Sequence, residues 1–426
     1  MPQQPALYDY AKLYKSTKNY VSHPLSSAES IQKAIQQANK DQQAIRIRAS
    51  AHTLGGVTLP RKDERLIRTE DLDYYRFEEV GTITVGCGAL LWDVRDFVLK
   101  HDWQMPVYNG GWAGPSVGGY ISAGGMGLRI PPADKKKLVS ATGAQGAYLT
   151  SISETHGGFW EHVASITFID GTGEIREVAA GDELFQWLFG SYGQLGLFIE
   201  AKLKLLPLNA AATTQYPLGQ SGIIPRVQID DPKINNTPPD LNNNILFWFS
   251  YLVSPEQEQD AWNKLQNWAI KHAGHLHPVG GWVGPIIDDN PIGYRYQVSY
   301  KNFNPPLLYP EQGNFVLMGL MANFANVGHF DIDQKIFEID ADFTQIALEN
   351  NFRLYLQAEN ISQTVDYKDY YNPEIYQKFK AIKQQLDPHM RFNPGVFFPD
   401  ESMPPVKASS AQVFSNAFAR LLASSE

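Results

Sequence analysis

The 426-residue sequence holds one cysteine, Cys87. An internal disulfide needs two, so none can form, and a thiolate-rich metal cluster is excluded with it. Long hydrophobic runs are also missing. The longest, "ILFWFSYLV" at 245–253, falls far short of the roughly 20 residues of a membrane-spanning helix and reads as a buried strand. The opening stretch "MPQQPALYDYAKLYKST" lacks the apolar core of a signal peptide. A cytoplasmic protein with no membrane span is therefore expected, and the sequons opened by Asn235 and Asn360 read as chance. Positive charge is scarce too: 36 Lys and Arg against 45 Asp and Glu give −9, which argues against nucleic acid or an anionic membrane as the partner. The one basic run, 135–137, reads as a solvated loop. Two common nucleotide signatures are absent as well. No Gly-x4-Gly-Lys-[Ser/Thr] loop occurs, and no Gly-x-Gly-x-x-Gly joins a first strand to a helix with an acid about twenty residues on.

What is present is an ordinary globular composition, 43% hydrophobic and 19% charged, in a chain long enough for two cores. Ser26-Ser27-Ala28-Glu29 has the Ser-x-x-Glu form of a capping box, and Ile31, Ala34, Ile35 and Ala38 recur behind it, predicting an amphipathic helix over 27–39. A strand carrying Arg46 and Arg48 follows, then a strand at 82–88 and a helix at 90–101. Residues 128–154 show no period and read as a mobile excursion. A hairpin is expected over 163–179, with Asp170-Gly171 and Gly173 supplying positive-φ positions, followed by a short helix and the strand "LGLFIEAKLKLLPL". The stretch 209–243, rich in Pro, Asn, Gln and Asp, reads as a connection. Beyond it, strands at 245–253, 315–325 and "FRLYLQA" alternate with two helices. One helix opens at Ser254-Pro255 and buries Trp262, Leu265 and Ala269; the other steps through Ile332, Ile336, Ile339, Phe343 and Ile346. This predicts an α+β unit, a sheet with helices on one face. After Pro405 comes an Ala/Ser-rich tail with a short possible helix. The aromatics Trp248, Trp262, Trp282, Tyr294 and Tyr296 read as core more readily than as pocket lining.

Three segments are built from small residues beside predicted strands: "RASAHTLGG" (48–56), "GGWAGPSVGGYISAGGMG" (110–127) and "GSYGQLG" (190–196). Such residues let a backbone approach a ligand closely and offer N–H groups to an anion such as a pyrophosphate. One glycine-rich loop is weak evidence; three in one domain point to an extended dinucleotide lying along the backbone.

On these segments the chain resembles the vanillyl-alcohol-oxidase superfamily, whose FAD domain is named after p-cresol methylhydroxylase. "RASAHT" keeps the arginine, histidine and hydroxyl of that family's Arg-Gly-x-Gly-His-Ser loop, with Ala49 and Ala51 in place of the glycines. Val117-Gly118-Gly119 with Gly125 resembles a second block, "THGGFWEHVASITFIDGTGEIREV" a third, and "ELFQWLFGSYGQLGLFIEAKLKL" a fourth. Near the C-terminus "LDPHMRFNPGVFF" resembles the segment that returns to the flavin domain.

The resemblance implies an α+β protein in which a two-part FAD-binding PCMH-type domain (1–208) is joined to an α+β substrate domain with a helix-covered antiparallel sheet (209–380), and a segment at 381–426 returns to the FAD domain. It implies FAD held by Arg48, Ala49, Ser50, Ala51, His52, Thr53, Ser116, Val117, Gly118, Gly119, Ser122, Gly125, Gly157, Gly196, Leu197, Phe198 and Asn393, with a covalent link from His52 to the flavin 8α-methyl. The implied partners are a small-molecule substrate and oxygen or another electron acceptor, and the implied reaction is oxidation of an alcohol, sugar or related CH–OH group.

The catalytic positions carry over less well. The aspartate that cytokinin dehydrogenases place before their Val-Gly-Gly motif is Gly111 here. The lysine of decaprenylphosphoryl-ribose oxidase is Ala358, and the cysteinyl attachment position of berberine-bridge-type enzymes is Trp112. Glu359 retains an acid beside that lysine position, Tyr355 shares its side of the strand, and His156 sits in the His-Gly pair of the third block, so these three are the catalytic candidates. Cytokinin-dehydrogenase-like CH–NH oxidation and a degenerate flavin fold that only binds are the alternatives. His272, His275 and His277 crowd at a helix end, where histidines favour the negative pole, and read as that rather than as a metal site.

Overall fold

The computed structural model describes residues 7–9, 16, 18–53, 56–107, 115–126, 157–207, 245–272, 277–278, 294–324, 330–356 and 370–398. The expected excursion at 128–154, the connection at 209–243 and the tail after Pro405 lie outside the described residues. So do Gly111, Trp112, His156, His275, Trp282, Ala358 and Glu359, and the side chains of Trp248, His277, Tyr294 and Tyr296.

Strands β1 (Val21–Pro24), β2 (Ile45–Arg48) and β3 (Arg65–Arg68) form a parallel sheet in the order β1-β3-β2. Helix α1 (Ala28–Lys40) connects β1 to β2 and lays Ile31, Ile35 and Ala38 against Ile45, Ile67, Ile169, Leu197 and Phe392. Its cap lies one residue beyond the expected box. Ser27 is the N-cap and exchanges bonds with Ser30, each hydroxyl accepting the other's backbone N–H at 3.2 Å, while Glu29 pairs with Lys33 on the surface. A serine reaches back as well as the expected glutamate because both N–H groups fall within one turn.

An antiparallel sheet follows. It is made of β4 (Tyr75–Phe77), β5 (Thr82–Gly86), β7 (Val163–Ile169), β8 (Ile175–Ala179) and β9 (Leu197–Lys204), in the order β4-β5-β9-β7-β8, while β6 (Trp103–Gln104) pairs with β10 (Leu206–Pro207). The β7–β8 hairpin turns as predicted but by different means. Gly173 has φ +89, whereas Gly171 is absent from the left-handed region. Gly171 is needed for space, since a Cβ there would lie 2.6 Å from the Asp387 Cβ. The Asp170 carboxylate closes the turn by accepting from Thr172 N (2.9 Å) and Glu174 N (3.0 Å). Helices α2 (Leu91–Leu99), α3 (Val117–Ser122) and α4 (Phe185–Leu188) cover this part.

The second sheet is antiparallel throughout. Strand β11 (Ile245–Val253) pairs along its length with β14 (Phe315–Phe324), β12 (His277–Pro278) and β13 (Tyr294–Val298) share the far edge of β14, and β15 (Arg353–Leu354) adds to β11. "FRLYLQA" thus contributes only a two-residue strand among its described residues. Ser254 and Pro255 open a 3-10 turn into α5 (Glu258–Lys271), whose Trp262, Leu265 and Ala269 are buried as the spacing predicts. Helix α6 (Phe330–Asn350) lies beside it, with Ile336, Ile339 and Phe343 in the core. The rings of Phe249, Tyr251, Trp268 and Phe343 interlock, and Tyr251 stacks on Phe343 at 4.1 Å with planes 2° apart. Helix α7 (Pro373–Leu386) crosses the expected boundary at 380 and stacks Phe379 on Trp187 of α4.

Candidate functional site

A groove with about 620 Å³ of empty space opens where the parallel sheet meets α3. The end of β2 and the loop behind it contribute Ile47, Ala49 and Thr53; the next turn adds Val57 and Thr58, and Thr69 follows β3. Cys87 and the α3 residues Gly118, Gly119 and Ser122 form the floor with Ala123. Tyr192, Gly193, Gly196, Phe198 and Asn393 close the other side.

The small residues are there because nothing larger fits. A Cβ on Gly118 would lie 2.7 Å from the Cys87 Cβ, and one on Gly193, at φ +71, would lie 2.6 Å from Asn393 Nδ2. The first loop is strained in a way that favours glycine: Ala51 sits at φ 56. Ser50 Oγ accepts from Ser116 N at 3.1 Å, which pins that loop to α3, and Ser116 Oγ in turn caps Gly119 N at 3.2 Å. The expectation that this segment presents N–H groups to an anion is corrected at 117–119. Val117 N donates to Ala89 O and Gly118 N to Cys87 O, both at 2.8 Å, so these donors already serve the fold and the helix supplies close approach instead.

Residues 24–142 match the family model described as FAD binding domain. That stretch is similar to an FAD-binding domain. A Bermuda grass isoallergen, BG60, of the pollen group 4 allergens, has a similar solved structure with TM-score 0.58 at 15% identity, over 88% of this chain and 89% of that chain. At that identity the likeness shows the fold. No curated protein matches the sequence.

The residues present fit the dinucleotide. Thr53 Oγ1 is buried in the groove with no hydrogen-bond partner among the described residues, which leaves a polar contact for a ligand. Of the residues implied by the resemblance, Ala49, Thr53, Gly118, Gly119, Ser122, Gly196, Phe198 and Asn393 line the groove. Ser50 and Ser116 brace it. Arg48 lies one layer behind, donating to Tyr8 O at 2.9 Å and to Thr58 Oγ1 at 3.2 Å. Val117 is in the core, Leu197 belongs to the cluster under α1, and Gly125 and Gly157 make left-handed turns at φ +66 and φ +76.

His52 is 4% exposed and is not itself a wall residue, although Ala49 and Thr53 on either side of it are. Burial draws its pKa down from 6.5 to about 4, with a backbone hydrogen bond opposing the fall, so the imidazole is neutral at pH 7. Tyr355, 7% exposed, is built into the main core, and its N–H donates to Ser250 O at 3.1 Å; it does not line the groove.

Ile47, Val57, Thr58, Thr69, Cys87, Ala123, Tyr192 and Gly193 complete the groove without having been singled out as site residues. Tyr192 and Gly193 do lie in the third glycine-rich segment, which was the available signal. Burial pushes the Cys87 thiol well up, which makes it an inert wall rather than a nucleophile. Among the described residues no group of three or more His, Cys, Asp or Glu is arranged for a metal, and no helix is long and apolar enough to cross a membrane. His272 is instead bonded through Nε2 to Asp342 Oδ2 at 2.7 Å.

Proposed function

We propose that the chain is an FAD-dependent oxidoreductase acting on an alcohol, sugar or related CH–OH substrate, with its flavin attached through His52. The observation that carries the reading is the placement of that side chain: a buried imidazole between two groove residues, on a loop whose preceding residue is held left-handed, where burial favours the neutral ring. A neutral ring keeps the nitrogen lone pair that a bond to carbon needs. An imidazole titrating at its ordinary 6.5 would be partly protonated under mildly acidic conditions.

Bound FAD supplies a two-electron acceptor for hydride from the hydroxyl-bearing carbon. The chain's own part would be to exclude water with Ile47, Val57 and Phe198, to offer Thr53 and Asn393 as polar contacts, and to leave room for close approach at Gly118 and Gly119. The hydroxyl proton requires a base, which typically contributes about 10²–10⁴ in rate. Glu359 and His156 are the candidates, ahead of Tyr355, whose burial in the core outside the groove counts against it.

Purified protein is expected to be yellow, and its denatured band to fluoresce under acid. His52→Ala should abolish the band fluorescence; persistence would reject the attachment residue. Flavin bleaching by sugars and alcohols without air, then peroxide release in air, distinguishes dehydrogenase from oxidase. A yellow protein that no CH–OH or CH–NH donor bleaches would be a binding protein and would overturn the enzymatic reading.

A further inference from the structure

Lys383 on α7 is 1% exposed, and each of its three ammonium hydrogens has a place. Nζ donates to Asp387 Oδ2 at 2.7 Å, to Gln194 O at 2.8 Å and to Phe392 O at 3.0 Å. The two carbonyls belong to loops far apart in sequence, and both loops feed the groove. One carries Tyr192, Gly193 and Gly196; the other carries Asn393.

The loops are also sewn to each other. Gln194 Nε2 donates to Asn393 O and Asn393 Nδ2 to Tyr192 O, both at 2.7 Å, while Asn393 Oδ1 accepts from Ile47 N of β2 at 3.0 Å. Asp387 Oδ2 additionally accepts from Phe392 N at 2.8 Å. Tyr192 at φ 50 and Asn393 at φ 43 are both left-handed, a conformation that non-glycine residues keep only where the surroundings over-determine it.

We infer that Lys383 is a positioning residue for the FAD groove: its ammonium, neutralised by Asp387, registers the 190–196 loop against the 391–395 loop so that Tyr192, Gly193 and Asn393 make one wall. The inference rests on the reading that this groove holds FAD. Docking of α7 does not itself need the charge. Tyr376, Phe379 and Leu386 already bury an apolar face, with Phe379 on Trp187. A methionine would replace the packing of the lysine stem. What the ammonium adds is direction, two carbonyls and a carboxylate held from one point. Burial draws it down to about 8, with Asp387 opposing the fall, so at neutral pH it is mostly charged and all three donors are in use.

The test uses the full-length chain and two readouts, the FAD dissociation constant and the rate at which a maleimide labels Cys87 without FAD. Cys87 is the chain's single cysteine and a buried groove residue, so under conditions where the protein stays folded labelling reports exposure of the groove. Because Lys383→Met strands the Asp387 carboxylate and the variant can fail to fold, the decisive variant is Lys383→Met with Asp387→Asn. It removes both charges, while the amide oxygen that replaces the carboxylate still accepts from Phe392 N. The expected result is a circular dichroism spectrum like that of the parent, FAD bound about tenfold or more weakly, and Cys87 labelled about tenfold faster, the size of a lost buried hydrogen-bond set. His272→Leu, which removes the bond to Asp342 on the second sheet, should leave the labelling rate where it was. A folded double variant with parental labelling and parental FAD affinity overturns the inference. Parent protein that takes up no FAD overturns the cofactor reading instead, and the labelling arm still decides the role of Lys383.

Discussion

The two halves of the molecule are held together by different forces. Around the groove, buried charges fasten loops. Arg46 forks onto Glu64 (Nε–Oε2 3.0 Å, Nη2–Oε1 2.8 Å) and reaches Pro394 O, while Lys383 and Asp387 gather the 190–196 and 391–395 loops. In the second sheet Phe249, Tyr251, Trp268 and Phe343 interlock as rings under α5 and α6. Apolar packing stabilises without direction, which suffices where the aim is to hold helices on a sheet. A cofactor groove needs particular backbone atoms at particular places, and directional bonds to charged groups supply that at a desolvation cost.

The largest expected effect breaks the comparison from the packed side. Phe343→Ala should cost about 3–5 kcal/mol of stability in denaturant titrations, yet leave FAD affinity unchanged below the transition. If affinity fell in step with stability, the two halves would not be separate in the way described. Next in size is an acid limb. The depressed pKa of His52 means that the unfolded chain binds a proton the folded chain refuses between about pH 4 and 6.5. Stability therefore rises with pH across that window, by about 3 kcal/mol, is complete above 6.5 and is lost as pH falls toward 4. On flavin-free protein, His52→Gln should flatten this limb; an unchanged limb would place the titrating group elsewhere.

Two smaller changes sharpen the groove side. Gly118→Ala drives a methyl to within 2.7 Å of the Cys87 Cβ, so it should cost about 1–3 kcal/mol and weaken FAD binding in equilibrium titration. Ala51→Gly should do the opposite, gaining about 1 kcal/mol in thermal unfolding, because the left-handed backbone no longer carries a Cβ. A loss there would mean that the methyl packs better than its strain costs.

Much of this was legible from residue order, and what was not has physical causes. The 3.6-residue recurrence of Ile31, Ile35 and Ala38 and the turn chemistry of the 163–179 hairpin are local signals, and the structure carries both. The glycine-rich segments marked three walls of the groove for the same reason. Strand β3, Arg-Leu-Ile-Arg, is four residues with a charge at each end and offers no period to read, so Thr69 behind it went unmarked as a groove residue. Thr58 and Cys87 line the groove only because β2, β3 and β5 come together in space. Nothing in the residues around Lys383 marks it as buried. Its burial follows from two loops, one 189 residues away in numbering and the other nine, that leave the Gln194 and Phe392 carbonyls facing it.

The central claim is that the imidazole of His52 is bonded to a flavin seated in this groove. Trypsin cuts after Arg48 and Arg61, releasing 49–61, "ASAHTLGGVTLPR", as one peptide. Mass spectrometry of that peptide from yellow protein should show the flavin adduct, with fragment ions placing it on His52. The unmodified mass, or an adduct on any other peptide, would contradict the account.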